Sequence, residues 1–231
     1  MHSATAIHVL DTQAQLMQQM LDYARCGYNR FTHGTVETGK LAHFVRKMVL
    51  TYHVGLDKHG HARRKQAGLG NAVLLLYRPG NLEQVDWWLL VSPGSHPATT
   101  AEKLEPVSQL RVFGFHQVTQ TRRGKARPVA TWAMTRDRYQ QWRDTLVEVV
   151  RSRNAYRMTA VLAELYRMPG FAGIRHQIGH LATLYRAEVK RQSLVAAPPL
   201  PKRLGYVRRL KLTGKSVRQV MAESKAPPTP S

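Results

Sequence analysis

Apolar residues recur at two different periods along this chain, and the switch between them sets out the elements. Ile7-His8-Val9-Leu10 is short and apolar enough for a strand. From Asp11 to Arg25, residues Leu16, Met17, Met20, Leu21 and Ala24 fall at helical spacing behind a capping Asp11 or Thr12. After a break at Gly27, the polar and aromatic stretch from Tyr28 to Val36, with Gly34 inside it, reads as a loop or an irregular strand. Leu41, Phe44, Val45, Met48 and Val49 return to the helical period. The last residues of that segment, up to Val54, are equally strand-like, so a helix turning into a strand is expected over 41–53.

The middle of the chain is β. Asn71 to Tyr77 and Val85 to Val91 are compact apolar runs on either side of Arg78-Pro79-Gly80-Asn81, a turn signature that predicts a hairpin. A second hairpin joins Arg111–Thr121 to Val129–Met134 across the basic loop 122–128. After Thr135 the period becomes helical again. Tyr139, Trp142, Leu146, Val149 and Val150 mark one helix, and Met158, Val161, Leu162 and Leu165 a second. Past the break at Met168-Pro169-Gly170, Phe171, Ile174, Ile178, Leu181, Tyr185 and Val189 mark a third. Ala196 to Pro201 reads as a stiff linker, and Lys202 to Arg218 holds seven Lys and Arg with no acidic residue. The expected architecture is α+β, an antiparallel sheet of ferredoxin-like or similar type covered on one face. A nucleic-acid-binding body over 1–135, a helical part over 136–192 and a flexible basic tail over 193–231 complete it.

Charge then sets the partner class. The 231 residues carry 35 Lys and Arg against 14 Asp and Glu, a formal +21, with a pI near 10.8. Such an excess opposes compaction and is sustained most easily by a polyanion. At 43% hydrophobic the chain still has enough apolar residues for a substantial core. No apolar run approaches the roughly 20 residues of a membrane span, and no basic-then-apolar leader opens the sequence. The basic residues lie in separate clusters rather than opposite one broad apolar helix face, which disfavours a membrane surface. Cys26 is the single cysteine, so no intramolecular disulfide can form, and a reducing cytoplasm is the expected setting.

Three basic clusters are the candidate nucleic-acid contacts. Lys58, Arg63, Arg64 and Lys65 are expected in an exposed loop; Arg122, Arg123, Lys125 and Arg127 at a hairpin tip; Lys202, Arg203, Arg208, Arg209 and Lys211 in the tail. Candidate chemistry is sparser. Carboxylates are scattered rather than paired, and no phosphate-binding glycine loop precedes a Lys-Ser/Thr, so two-metal nuclease and nucleotide-triphosphatase chemistry are disfavoured. His176 and His180 have ligand spacing, but their neighbours Arg175 and Arg186 disfavour a divalent ion. No metal and no cofactor is expected.

Metal-free RNA cleavage needs only a proton-transfer group and cations, because the 2′-hydroxyl supplies the nucleophile. Arg25, Arg30 and His33, with Tyr28, gather those types within ten residues; the alternative is a turn whose Tyr28 and Phe31 are core while the arginines are solvated. Trp87, Trp88, Phe113, Phe115 and Trp132 either stack bases from a sheet surface or bury beneath the helices, and burial is the commoner outcome.

The stretches Val85-Asp86-Trp87-Trp88-Leu89-Leu90-Val91, Thr131-Trp132-Ala133-Met134-Thr135 and Met168-Pro169-Gly170-Phe171-Ala172-Gly173-Ile174-Arg175 resemble accessory proteins carried on proteobacterial plasmids and integrative elements. In overall plan the chain is similar to the guide-RNA processing subunit of type IV CRISPR systems, which implies a sheet-based RNA binder with an added helical part, some members cleaving repeat RNA without metal. The resulting expectation is a cytoplasmic nucleic-acid-binding protein of a mobile element, RNA favoured over DNA, working alone or with other subunits of a ribonucleoprotein. If it is an enzyme, it is a metal-independent endoribonuclease. The alternative is a non-enzymatic DNA-binding accessory factor of plasmid transfer or replication.

Overall fold

The structure, a computed structural model, describes residues 7–80, 83–120, 129–202, 204–206, 210 and 213–225. In chain order the elements run β1 (His8–Leu10), α1 (Gln13–Arg25), β2 (Arg30–Glu37), α2 (Leu41–Tyr52), α3 (Lys58–Gln66), β3 (Ala72–Tyr77), β4 (Gln84–Val91), α4 (Ala98–Ala101) and β5 (Glu105–Pro106). There follow β6 (Arg111–Val112), β7 (Phe115–Gln120), β8 (Val129–Met134), α5 (Arg136–Arg151), α6 (Ala155–Tyr166), α7 (Ala172–Arg191), β9 (Gly214–Ser216) and α8 (Val217–Lys225). They form two compact units: residues 1–110 with 209–231, and residues 111–208. The α+β class is as expected.

The first unit is built on a six-stranded sheet in the order β5-β2-β4-β3-β1-β9. The hairpin of β3 and β4 forms as the sequence predicts, Ala72 opposite Val91 and Tyr77 opposite Asp86. One pairing is parallel, β1 with β3, so the sheet is mixed where an antiparallel one of ferredoxin-like type was expected. Parallel strands need a crossover, and α1 with the elements after it supplies one. Thr12 starts α1 through a capping box: its hydroxyl accepts from the Gln15 N–H, and the Gln15 side chain accepts from the Thr12 N–H at 3.1 Å. Leu16, Met17, Met20 and Leu21 are buried along α1.

Both faces of the central β3–β4 pair are covered. Ala72, Leu74, Leu76, Val85, Leu89 and Val91 point to one face and pack with Leu41, Met48 and Tyr52 of α2 and Val220 of α8. By strand alternation Phe31, Val73, Leu75, Trp88 and Leu90 point to the other, and all five are buried.

Three segments depart from their sequence readings. The 28–36 stretch is not a loop: β2 is a regular eight-residue strand paired throughout with β4. Gly34 belongs there because the Trp87 ring lies over it, and a Cβ at that position would come within 2.8 Å of the indole. Residues 41–53 do not turn into a strand. Phe44, Val45, Met48, Val49 and Tyr52 all reach the core at helical spacing, tertiary packing overrides the β-branched end, and the helix stops at His53, whose φ is 51°. Finally, the described part of the expected flexible tail is ordered. β9 adds to the open edge of β1, with His8 opposite Ser216, and α8 returns to the α2 face.

The second unit contains the predicted hairpin of β7 and β8, extended by β6 across a tight turn at Phe113 and Gly114, with φ of 52° and 74°. The three predicted helices are present. The hairpin was expected to belong with the preceding strands, but it groups with these helices, because α7 is fastened to β8. The Gln177 side chain accepts from the Met134 N–H at 2.6 Å and donates to the Met134 carbonyl at 3.2 Å. Gly173 lets α7 approach so closely that a Cβ there would fall against the Trp132 carbonyl oxygen. Trp132 and Phe115 are fully buried. No helix among the described residues is long and apolar enough to cross a membrane.

Two glycines of α7 make opposite predictions. Gly173→Ala forces the helix off β8 and should destabilise the protein by about 1–3 kcal/mol, as overpacking typically does. At Gly179 a Cβ would meet nothing within 4 Å, so Gly179→Ala should stabilise by up to about 1 kcal/mol through helix propensity. Urea unfolding midpoints of the two variants, moving in opposite directions, check both.

Candidate nucleic-acid interface

The 58–65 cluster, expected in a loop, is the helix α3. Its sequence, Lys-His-Gly-His-Ala-Arg-Arg-Lys-Gln, has no apolar period, and that is why periodicity gave no signal there. Asp57 starts it by accepting the Gly60 N–H at 2.6 Å. Arg64 donates from Nε and Nη2 to the Gly70 carbonyl at 3.2 and 2.9 Å, and the Asn71 amide donates to the His61 carbonyl at 3.1 Å. The Tyr28 hydroxyl lies 3.5 Å from His61 Nδ1. Burial pushes the Tyr28 hydroxyl far above its ordinary range, with Tyr23 and Cys26 adding to the shift, so it stays neutral.

These ties give α3 a fixed inner side and an outer side that carries charge. Lys58, Arg63 and Lys65 are exposed, together with His59, Ala62 and Gln66, and the helix contains no acidic residue. The basic last turn also offsets the helix dipole. Of the four cations expected to contact a ligand here, Arg64 is therefore a structural residue and the other three are available.

The second unit adds a surface that was read from sequence only as a polar helix face. Residues 111–208 hold 19 Lys and Arg against 5 Asp and Glu. On α7, Arg175, Arg186 and Lys190 are exposed and fall within a sector of about 60° along roughly 22 Å of helix. Gly179 and Thr183 lie between them, small enough for close approach of a backbone. The one acidic residue of α7, Glu188, is buried and ion-paired to Arg191. His176 and His180 border this stripe, with their Nε2 atoms 3.1 Å apart. Among the described residues no group of three or more His, Cys, Asp or Glu could hold a metal ion.

The residues proposed for catalysis do not converge. His33 and Arg30 are three apart on β2, so their side chains leave opposite faces of the sheet. Arg25 sits in the last turn of α1, 3.4 Å from Asp22. His33 is exposed and stacks beside Trp88, ring centroids 6.4 Å apart. Its electrostatic neighbour is Asp86, a carboxyl that burial raises above its usual range while His33 works in the opposite direction. Local crowding in sequence was the only signal for the trio, and strand alternation disperses it. The basic residues Arg122, Arg123, Lys125, Arg127, Arg203, Arg208, Arg209 and Lys211 lie outside the described residues; Lys202 is exposed. The aromatic candidates are committed to packing: Trp88 and Trp132 are buried, and Trp87 packs on Phe44 at 5.2 Å.

The division within α3 is testable. Arg64→Ala should cost about 1–3 kcal/mol of stability by removing a charged donor from the Gly70 carbonyl, whereas Arg63→Ala and Lys65→Ala should leave the thermal midpoint within error. Equal melting of all three variants contradicts the assignment. Set against protein-family models, characterised proteins and solved structures, the chain finds no match.

Proposed function

We propose that this protein binds nucleic acid through its phosphate backbone, using the outer side of α3 and the cationic stripe of α7, and that it acts by binding rather than by catalysis. The observation that carries this reading is the sorting of charge on those two helices. Every acidic side chain is absent from α3 or turned inward on α7, while Lys58, Arg63, Lys65, Arg175, Arg186 and Lys190 are all exposed. A solvated helix that needed only solubility would interleave both signs. Side-chain forks of Arg on phosphate oxygens and glycine-permitted close approach are what a backbone-tracking surface requires. RNA is the favoured ligand, and the similarity in plan to type IV guide-RNA subunits makes a repeat-type hairpin RNA the first to assay.

Binding of a hairpin RNA to the full chain should weaken by orders of magnitude between about 50 and 200 mM salt, as release of six or more counterions demands. Arg186→Ala with Lys190→Ala should reduce the slope of log affinity against log salt by about two and leave the melting temperature unchanged. A duplex DNA of equal length in competition separates RNA from DNA preference. A flat salt response, or no binding to either nucleic acid, overturns the proposal.

A further inference from the structure

Within the first unit a cavity of about 590 Å³ opens between α1, α3 and the β1–β3 pair. Val73 and Leu75 of β3 and Leu56 before α3 line it with apolar surface. Gln19 and Tyr23, one turn apart on α1, reach it from one side, and His61 of α3 from another. The Gln19 amide and the Tyr23 hydroxyl have no hydrogen-bond partner among the described residues. Burial raises the Tyr23 hydroxyl above its ordinary range, which keeps it a neutral donor. His61 is steadied by Tyr28, whose ring in turn meets Tyr23 edge to face at 5.2 Å.

The geometry points to this cavity as the pocket for one unstacked nucleobase, carried on a strand whose phosphates run along Lys58, Arg63 and Lys65 of α3. It rests on the nucleic-acid reading above and adds a place where a base is held. The occupant must be flat and apolar on its faces to meet Val73, Leu75 and Leu56, yet carry donors and acceptors on its edge for an amide, a phenol and an imidazole. A purine or pyrimidine has both properties. An alkyl chain meets only the first and would bury the Gln19 and Tyr23 polar groups unmatched. The volume accommodates a base with its ribose. The anionic part of the ligand also has its counterpart, because the helix that contributes His61 to the cavity carries Lys58, Arg63 and Lys65 on its exposed side.

Free nucleosides test the pocket without using the electrostatic surface, since they carry no phosphate. Saturation-transfer NMR on the full chain with adenosine, guanosine, cytidine and uridine should show binding of at least one. Tyr23→Phe and Gln19→Leu should each weaken it about tenfold, the loss of one hydrogen bond. Lys47→Ala, at an exposed residue of α2 that does not line the cavity, should leave it unchanged, and circular dichroism checks that each variant is folded. The proposal is overturned if no nucleoside binds, if Tyr23→Phe and Gln19→Leu bind as the parent does, or if laurate occupies the site and excludes all four nucleosides. Failure with nucleosides alongside intact, salt-dependent RNA binding counts against the pocket alone. Nucleoside binding with a flat salt response counts only against the backbone reading.

Discussion

A sheet with two apolar faces has to be covered on both, and most of the first unit follows from that requirement. The β3 and β4 strands read as nearly continuous apolar runs, so neither side of the β3–β4 pair can be left to water. α1 answers one face. α2 answers the other only in part, and α8 supplies Val217, Val220 and Met221 to the same core. The C-terminal segment is therefore drawn back across about 100 intervening residues to join a sheet begun at residue 8, and β9 closes the β1 edge on the way. An edge strand left open would template pairing with another chain.

The second constraint is repulsion among 35 cations opposed by 14 anions. Some cations are absorbed by structure. Arg64 serves the Gly70 carbonyl; Arg138 donates to the Phe113 carbonyl and lies over the Phe115 ring at 4.4 Å, where burial lowers its pKa; Arg191 pairs with Glu188. The first two join a loop or turn to a helix, the third lies within α7, and all three are structural contacts within the chain. Many cations remain exposed over both units, Arg46, Lys47, Arg143 and Arg157 among them; on α3, with Lys58, Arg63 and Lys65, and on α7, with Arg175, Arg186 and Lys190, no exposed acidic residue shares the helix. Like charges gathered on one helix face repel one another, which costs free energy in the folded protein.

The cavity between α1 and α3 gives the first unit a second kind of chemistry beside its charge. Gln19 and Tyr23 are ordinary residues of an amphipathic helix, and His61 is an ordinary residue of a basic one. They meet at one cavity, where Tyr28, two residues before β2, places its hydroxyl 3.5 Å from His61 Nδ1 and its ring against Tyr23. The strand that follows, β2, separates Arg30 from His33. Strand alternation thus disperses one constellation suggested by sequence proximity, while Tyr28, just before the strand, meets side chains of α1 and α3 that sequence proximity does not bring together.

Elements with a strong apolar period were legible without the fold. The α1 helix and its cap and the three helices from α5 to α7 announce themselves by a period of 3.6, and the β3–β4 hairpin and the β7–β8 pair by short runs set off by turn residues, because these patterns are local properties of a segment. The net charge and the clustering of basic residues were equally plain. Tertiary structure decided the rest. α3 has no apolar pattern to read, since it is held by Asp57, Arg64 and the Asn71 side chain rather than by a buried face of its own. The end of α2 could have been strand or helix until a core at 3.6-residue spacing chose. The tail looked like solvated charge because the few apolar residues of α8 matter only beside α2. Which cations are free, and which groups line the α1–α3 cavity, depend on contacts between segments far apart in sequence, and no local pattern records those.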